Sequence, residues 1–367
     1  MNQRVDEREA VQYQWPYLLR WLGGAERVDQ LGYETGAFVR KREFESPSQV
    51  LQLLMTWAVA ERSLRETALL AAEAEMADVS NVALMRRFVR AKPWVGAMLG
   101  EYLLGPKKQI ERGLQIRLLD ASSLNRLGTK ASDLRLHLSL SLRTHAIESV
   151  ELTDARGGET LERFDFRAGE LVIGDRGYAH RAGLSHVVKS GAYFLVRIPW
   201  NNVPLEDAEG KQIDIPAALE TLAEACAGEF PVSFRTPNGD AVACRLVAIR
   251  KSEPAAEQAR RKASAERRKH GAIDVRTLQT AGYVFVLTNL PDDICAESVL
   301  QLYRLRWQIE LKFKALKSIL HLDKIPARSE TLARVYIMAK LLVALVIDDL
   351  IESSSFFSPW GYPLAAG

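Results

Sequence analysis

A chain of 367 residues, 47% hydrophobic and 26% charged, can bury a large core and has the balance of a folded globular protein rather than a disordered one. Its formal charge of +3 excludes a strongly polybasic chain, so any contact with nucleic acid has to come from local clusters. Three scattered cysteines, Cys226, Cys244 and Cys295, form no C-x-x-C pair, and the closest of the six histidines are His180 and His186. That pattern argues against zinc and for buried thiols in a reducing, cytoplasmic setting. The N-terminus carries early acids and no apolar h-region, so no signal peptide is expected. The longest apolar run, VYIMAKLLVALVI, is interrupted by Lys340 and closed by Asp348 and Asp349, which predicts a core helix and no membrane span.

In chain order, residues 47 to 104 are helical in pattern. Ser63 and Glu66 predict a capping box before LRETALLAAEA, and Ser80 predicts a cap on NVALMRRFVRA, with Pro93 after it. Two short helices joined by MADVS resemble a helix-turn-helix whose second member carries Arg86, Arg87 and Arg90 toward DNA. A small bundle with a solvated basic face would leave the same pattern. The period then changes. QIRLLD, LRLHLSLSL, HAIESVELTD, ELVIGD and AYFLVRI predict five strands, with GETLERFDF and RGYAHRAGLSHVVKSG as helices between them, which is an α/β pattern. From 200 to 282 the chain reads as β-rich, with Asn238 and Gly239 marking a hairpin turn and the run ARRKASAERRKHG suited either to a solvated surface or to phosphate contact. YVFVLTNLP returns as a strand.

The next segment, YRLRWQIELKFKALK, is the most informative. Read as one helix, it places Tyr303, Arg306, Glu310 and Lys317 within an arc of roughly 60°, along the edge of an apolar face built from Leu305, Ile309, Phe313 and Leu316. An ordinary ion pair between Glu310 and Lys314 is the alternative use of that acid. Two further acids follow apolar strands: Asp120 is expected to end the first and Asp175 the fourth, where Gly177 permits a tight turn. An α/β sheet exposes its chemistry at such strand ends. Two aspartates and a glutamate are the oxygen-rich set that holds two Mg²⁺ ions for in-line phosphoryl transfer.

These residues resemble a known family. Tyr303, Arg306, Glu310 and Lys317 match the Y-x2-R-x3-E-x6-K motif of bacterial insertion-sequence transposases of the DDE class, Asp120 in LLDASSL is similar to the family's first aspartate, and Asp175 in DRGY to its second. The resemblance covers about residues 45 to 345. It implies a ribonuclease-H-like mixed five-stranded sheet with flanking helices, interrupted by a β-rich insertion and preceded by an all-α DNA-binding domain. The implied divisions are 1–110 (helix-turn-helix-like), 111–199 (first part of the catalytic core), 200–282 (insertion), 283–352 (second part of the core) and 353–367 (tail). It also implies Mg²⁺-dependent cleavage and strand transfer, with Mn²⁺ able to substitute, at Asp120, Asp175 and Glu310. Tyr303, Arg306 and Lys317 would hold DNA phosphates, and the N-terminal helices would hold the element's terminal inverted repeats. Target DNA would be the other substrate, and the protein would work as a homodimer on DNA, at the bacterial nucleoid.

The first aspartate is followed by Ala-Ser-Ser, where the family more often has a threonine, and the tail is short for the family. A truncated or inactive copy that only binds terminal repeats is therefore the rival expectation. Arg135 and His137 share one face of the second strand and are expected to approach DNA or the metal, or else to be structurally satisfied. Trp200 and Trp307 are expected in the core, with stacking on a base as the alternative.

Overall fold

The computed structural model describes residues 15–104, 114–129, 132–224, 226–267 and 274–354. The tail from 355, together with Arg268 and Lys269 of the basic run, lies outside the described residues. After a helical segment at 15–21 come α1 (Ala25–Glu34), α2 (Pro47–Ala60), α3 (Leu64–Glu73), α4 (Asn81–Arg90) and α5 (Lys92–Leu104). Their starts are set by side-chain caps. Ser46 accepts from the Gln49 N–H ahead of Pro47, Ser63 and Glu66 close the expected capping box, and Ser80 accepts from the Ala83 N–H. Pro93 sits in the first turn of α5, where its missing N–H costs nothing.

The sheet follows: β1 (Ile116–Leu124), β2 (Leu134–Ser141), β3 (Ile147–Asp154), β4 (Leu171–Gly174), α6 (Arg181–Lys189), β5 (Tyr193–Arg197), α7 (Ile215–Glu220), β6 (Ala227–Arg235), β7 (Ala241–Arg250), α8 (Glu253–Arg267), α9 (Val275–Ala281) and β8 (Tyr283–Thr288). The chain ends in α10 (Ala296–Arg304), α11 (Trp307–Ser318) and α12 (Glu330–Ser354). The segment GETLERFDF yields only a single 3-10 turn, Leu161–Arg163.

The expected five-stranded sheet is corrected to eight strands in the order β3-β2-β1-β4-β5-β8-β7-β6. β1, β4 and β5 run parallel, and every other pairing is antiparallel. The cause is β8. It pairs with β5 on one side and β7 on the other, so the hairpin of the 200–282 segment extends the same sheet instead of forming a separate layer. Gly239 turns that hairpin with φ +94, a conformation that favours glycine.

Apolar cores cover both faces. On one, Leu118, Leu136, Leu138 and Ile173 meet Ile309, Phe313 and Leu316 of α11 and the N-terminal helices. On the other, Leu119, Val172 and Val196 meet Leu184 of α6 and Leu219 of α7. α12 packs on α2, α4 and α5, where the Trp57 and Tyr336 rings meet edge to face at 4.7 Å. Among the described residues, no helix is long and apolar enough to cross a membrane.

Candidate active site

The register of β1 brings the two aspartates together. Asp120 was expected at a strand end, but β1 continues to Leu124 and pairs Asp120 with Leu138 of β2. On its other side, β1 stays in register with the shorter β4 only as far as Leu118 and Ile173. Asp120 therefore stands just past the end of the parallel ladder, and Asp175 follows directly on β4 beside it. Side-chain alternation aims Asp120 at the face covered by α11, because Leu118 lies in that core and Leu119 in the opposite one.

Asp175 starts a 3-10 turn, Arg176–Tyr178, in extended backbone conformation. Gly177, expected to permit a tight turn, lies within that 3-10 turn without a positive φ. Its role is space: a Cβ at 177 would lie 1.5 Å from a carboxylate oxygen of Glu159. Glu159 is thus a fourth acid beside the site, missed in sequence because it sits in a loop with no flanking motif. Burial raises its pKa, Arg135 pulls it back, and Asp175 pushes it up again.

The helix expected to carry the four motif residues is two helices. The N–H groups of Leu305 and Arg306 donate to the carbonyls of Leu302 and Tyr303, three residues back, which tightens the chain into a 3-10 turn between α10 and α11. The motif residues consequently split. Tyr303, buried at the end of α10, donates its hydroxyl to Asp175 Oδ1 at 3.3 Å. Arg306, at the junction, donates from Nη2 to Glu310 Oε1 at 2.6 Å, so Arg306 takes the role expected of Lys314 as the partner of that acid. Lys314 and Lys317 instead border an open cleft of about 500 Å³ with Asp120, Ser122, Glu310, Phe313, Ser318 and Asp323. Ser122 was legible from the period-2 spacing after Asp120, and Lys314 from the i,i+4 spacing after Glu310.

Charge follows this geometry. Asp120 is pushed up to about 6, chiefly by burial; the Ala121 N–H and the Arg306 guanidinium pull it down, while Glu159 and Asp175 raise it further. Burial works against the charge of Arg306, but Glu310, Tyr303 and Asp175 outweigh it and raise its pKa. Burial and Asp175 push the Tyr303 phenol up to about 12, so it remains a donor across the working pH range. One guanidinium therefore acts on all three carboxylates. The donors are the hard oxygens that a divalent ion of the Mg²⁺ type selects, and a buried acid short of compensating charge suits a cation. Their chemistry fits the metal. Among the described residues, however, no three acid, histidine or cysteine side chains are drawn into one metal-holding cluster.

A family model for the transposase DDE domain matches residues 111–346, a span holding Asp120, Asp175 and Glu310. The chain belongs to the DDE transposases. The putative transposase InsL of insertion sequence element IS186A from Escherichia coli strain K12 is 35% identical over 354 residues, covering 94% of this chain and 96% of that one. The transposase of IS421 from Escherichia coli has the same identity over 355 residues and the same coverage. A more distant relative, the transposase of IS231F from Bacillus thuringiensis subsp. israelensis, is 26% identical over 210 residues, 53% of this chain and 43% of that one. This DDE transposase is accordingly an enzyme that cuts and joins DNA strands with the help of divalent metal ions.

The remaining expected residues are placed as follows. Arg86 and Arg90 are exposed on α4 of the transposase. Arg87 was expected to face DNA with them, but its guanidinium lies 5.2 Å from the Phe38 ring centre and 5.7 Å from that of Phe44, and 3.9 Å from Glu43. It is a packed side chain whose pKa burial lowers and Glu43 raises. His137 is fully buried on the face opposite Asp120, with Nε2 3.1 Å from Thr153 Oγ1, and burial pushes it down to about 4. Trp200 is half-buried, donates to Thr277 Oγ1 at 3.2 Å and lies under the Arg276 guanidinium. Trp307 is not a core residue as expected. It is 57% exposed at the start of α11, because Ile309, Phe313 and Leu316 take the buried stripe of that helix.

Proposed function

We propose that this transposase performs cut-and-paste transposition, with Asp120, Asp175 and Glu310 holding two Mg²⁺ ions for which Mn²⁺ can substitute. The observation that carries this reading is the convergence of Asp120 and Glu310 on one cleft, with Asp175 beside Asp120 at the end of the parallel ladder. The order β3-β2-β1-β4-β5, with β1, β4 and β5 parallel, supports a ribonuclease-H-like core, and the packing of α12 on the N-terminal helices links that core to a helical DNA-binding part. The divisions 1–110, 111–199, 200–282, 283–352 and 353–367 belong to the same proposal.

Bound at the carboxylates, the ions supply positive charge to the attacking and leaving oxygens of an in-line displacement. The residues do the rest. Tyr303 fixes one oxygen of Asp175 by hydrogen bonding, and Arg306 fixes one of Glu310, leaving the other oxygens of both acids available. Lys317 and Lys314 line the cleft where phosphates of the cut strand would pass. In the first step water attacks the phosphorus at the element end, the P–O3′ bond breaks and the oxygen leaves as a 3′-hydroxyl. That hydroxyl then attacks a phosphodiester of target or opposite-strand DNA: its oxygen bonds to the phosphorus, the P–O3′ bond of the attacked strand breaks, and that oxygen leaves as a new 3′-hydroxyl. Exposed Arg86 and Arg90 on α4 fit phosphates of the terminal inverted repeat, with α3 and α4 as the helix-turn-helix. Two ends brought together by a homodimer, at the nucleoid of a bacterial cell, complete the reading.

The test is a labelled fragment spanning the end of the encoding element, incubated with protein and Mg²⁺ or EDTA. Metal-dependent nicking at the boundary is expected. Specific binding without any nicking would replace cut-and-paste activity by the rival reading of an inactive, repeat-binding copy.

A further inference from the structure

Three cations in a row, Arg40, Lys41 and Arg42, lie in the loop between α1 and α2, where every residue from Val39 to Glu43 is exposed. Buried aromatic rings fix both ends of that stretch. Phe38 precedes it, its N–H donating to the Gly32 carbonyl and its ring edge to face with Tyr33 at 5.5 Å, and Phe44 follows it. The Glu45 N–H then donates to Gln49 Oε1 in the first turn of α2. Arg87 of α4 fastens the loop from the other side. Its guanidinium carbon lies 5.2 Å from the Phe38 ring centre and 5.7 Å from that of Phe44, and one of its nitrogens lies 3.9 Å from Glu43. A loop anchored at these points gives up little freedom when it takes a ligand.

The anchorage sets the charges of the loop beside those of α4. Burial lowers the pKa of Arg87 first; Glu43 opposes that, and Arg90 and Arg42 lower it further. Arg42 from the loop and Arg90 from the helix are thus both close to Arg87, and Arg86 is one turn before Arg90 on the exposed side of α4. Among the described residues, no acid pairs with Arg40, Lys41, Arg42, Arg86 or Arg90. Of the two acids in the loop, Glu43 faces Arg87, which leaves Glu45 against five exposed cations. A surface of that kind suits a polyanion. The two elements also differ in what they offer. α4 exposes Val82 and Met85 along with its cations, a mixture that suits base edges in a groove, whereas the loop exposes Val39 and charge, which suits backbone.

We propose that Arg40, Lys41 and Arg42 grip backbone phosphates of the terminal inverted repeat, beside the groove that α4 enters. The site rests on the reading of α3 and α4 as the helix-turn-helix. It adds a second DNA-contacting element, which supplies affinity without reading sequence.

The experiment measures affinity for the element-end duplex, and for an unrelated duplex of equal length, across a salt series in EDTA. Full-length wild type is compared with R40Q/K41Q/R42Q, with the three single variants and with R86Q/R90Q, and thermal unfolding checks that each is folded. The triple variant should lose at least about 1.8, the share of two phosphate contacts, from the slope of log affinity against log salt. At about 0.15 M salt it should bind both duplexes about 30-fold more weakly, so that its preference for the element end stays that of wild type. R86Q/R90Q should lose much of that preference. A smaller slope loss in the triple variant overturns the site, and so does a preference that falls with the loop cations. Should the triple variant fail to fold, the single variants decide: at least two must each lose about 0.9 from the slope, and fewer overturns the site equally. Wild-type protein with no preference for the element end would overturn the helix-turn-helix reading and this site with it. A preference lost in R86Q/R90Q beside an unchanged slope in the triple variant overturns the loop site alone.

Discussion

Asp120 shows how function and stability oppose each other at a single residue. Its carboxyl titrates near 6 in the folded chain against an ordinary 3.8, because burial disfavours the charge. A raised acid pKa favours folding below the unfolded value and loses that favour as pH rises through the folded one. At pH 7 the ionised group therefore destabilises the fold, by about 2–3 kcal/mol. Replacing it with asparagine should raise the melting temperature at pH 7 in EDTA by several degrees, with the gap closing below pH 4, while cleavage is lost. Equal melting temperatures at pH 7 would contradict the account of burial. Tyr303 makes a milder case: Tyr303→Phe removes one donor to Asp175 and should slow cleavage about 10- to 100-fold with folding intact, as single-turnover kinetics would show. At this scale the spacing of Tyr303, Arg306 and Glu310 marked them in the sequence beside the alternative of an ordinary solvated helix, and the structure sets Tyr303 against Asp175 and Arg306 against Glu310. The sequence was poor for Glu159, a loop acid visible only through the glycine that makes room for it.

Among the elements, caps and strand patterns were readable because each depends on a few neighbouring residues. The Ser63–Glu66 box and the Ser80 cap are local hydrogen bonds, and the structure contains both. Ser80→Ala should cost about 1 kcal/mol and, since α4 presents Arg86 and Arg90, weaken binding to the element end, which denaturant titration and a gel-shift series would measure. What sequence could not supply was tertiary in origin. The length of β1 past Asp120 is set by its antiparallel partner β2, and the break at Leu305 and Arg306 lies where Tyr303 donates to Asp175 and Arg306 to Glu310. A regular 100° rotation applied across that break put four residues on one stripe, whereas the structure divides them between Asp175 and the cleft. Arg87 was misjudged for a similar reason: nothing local shows that Phe38, Phe44 and Glu43 will meet it.

For the whole molecule, the eight-stranded sheet joins what the sequence divided. β8 makes the insertion and the core one sheet, and α12 buries its length against helices from the other end of the chain. Lys340 pins that junction: fully buried on α12, its Nζ donates to the carbonyls of Leu320 and His321 just after α11 and lies 3.6 Å from Glu61 at the end of α2. Lys340→Met should strand those groups and destabilise the chain by about 3 kcal/mol, and unchanged urea unfolding would refute the assignment. The link matters because it ties the helix bearing Glu310 to the helices assigned to DNA. The most direct test of the central claim lies at that helix: cleavage of the element-end fragment in Mg²⁺ by wild type and Glu310→Gln, with binding measured in parallel. The account predicts boundary nicking by the wild type, a loss of at least a thousandfold in the variant, and near-equal binding by both. Metal-dependent nicking retained by Glu310→Gln would contradict it.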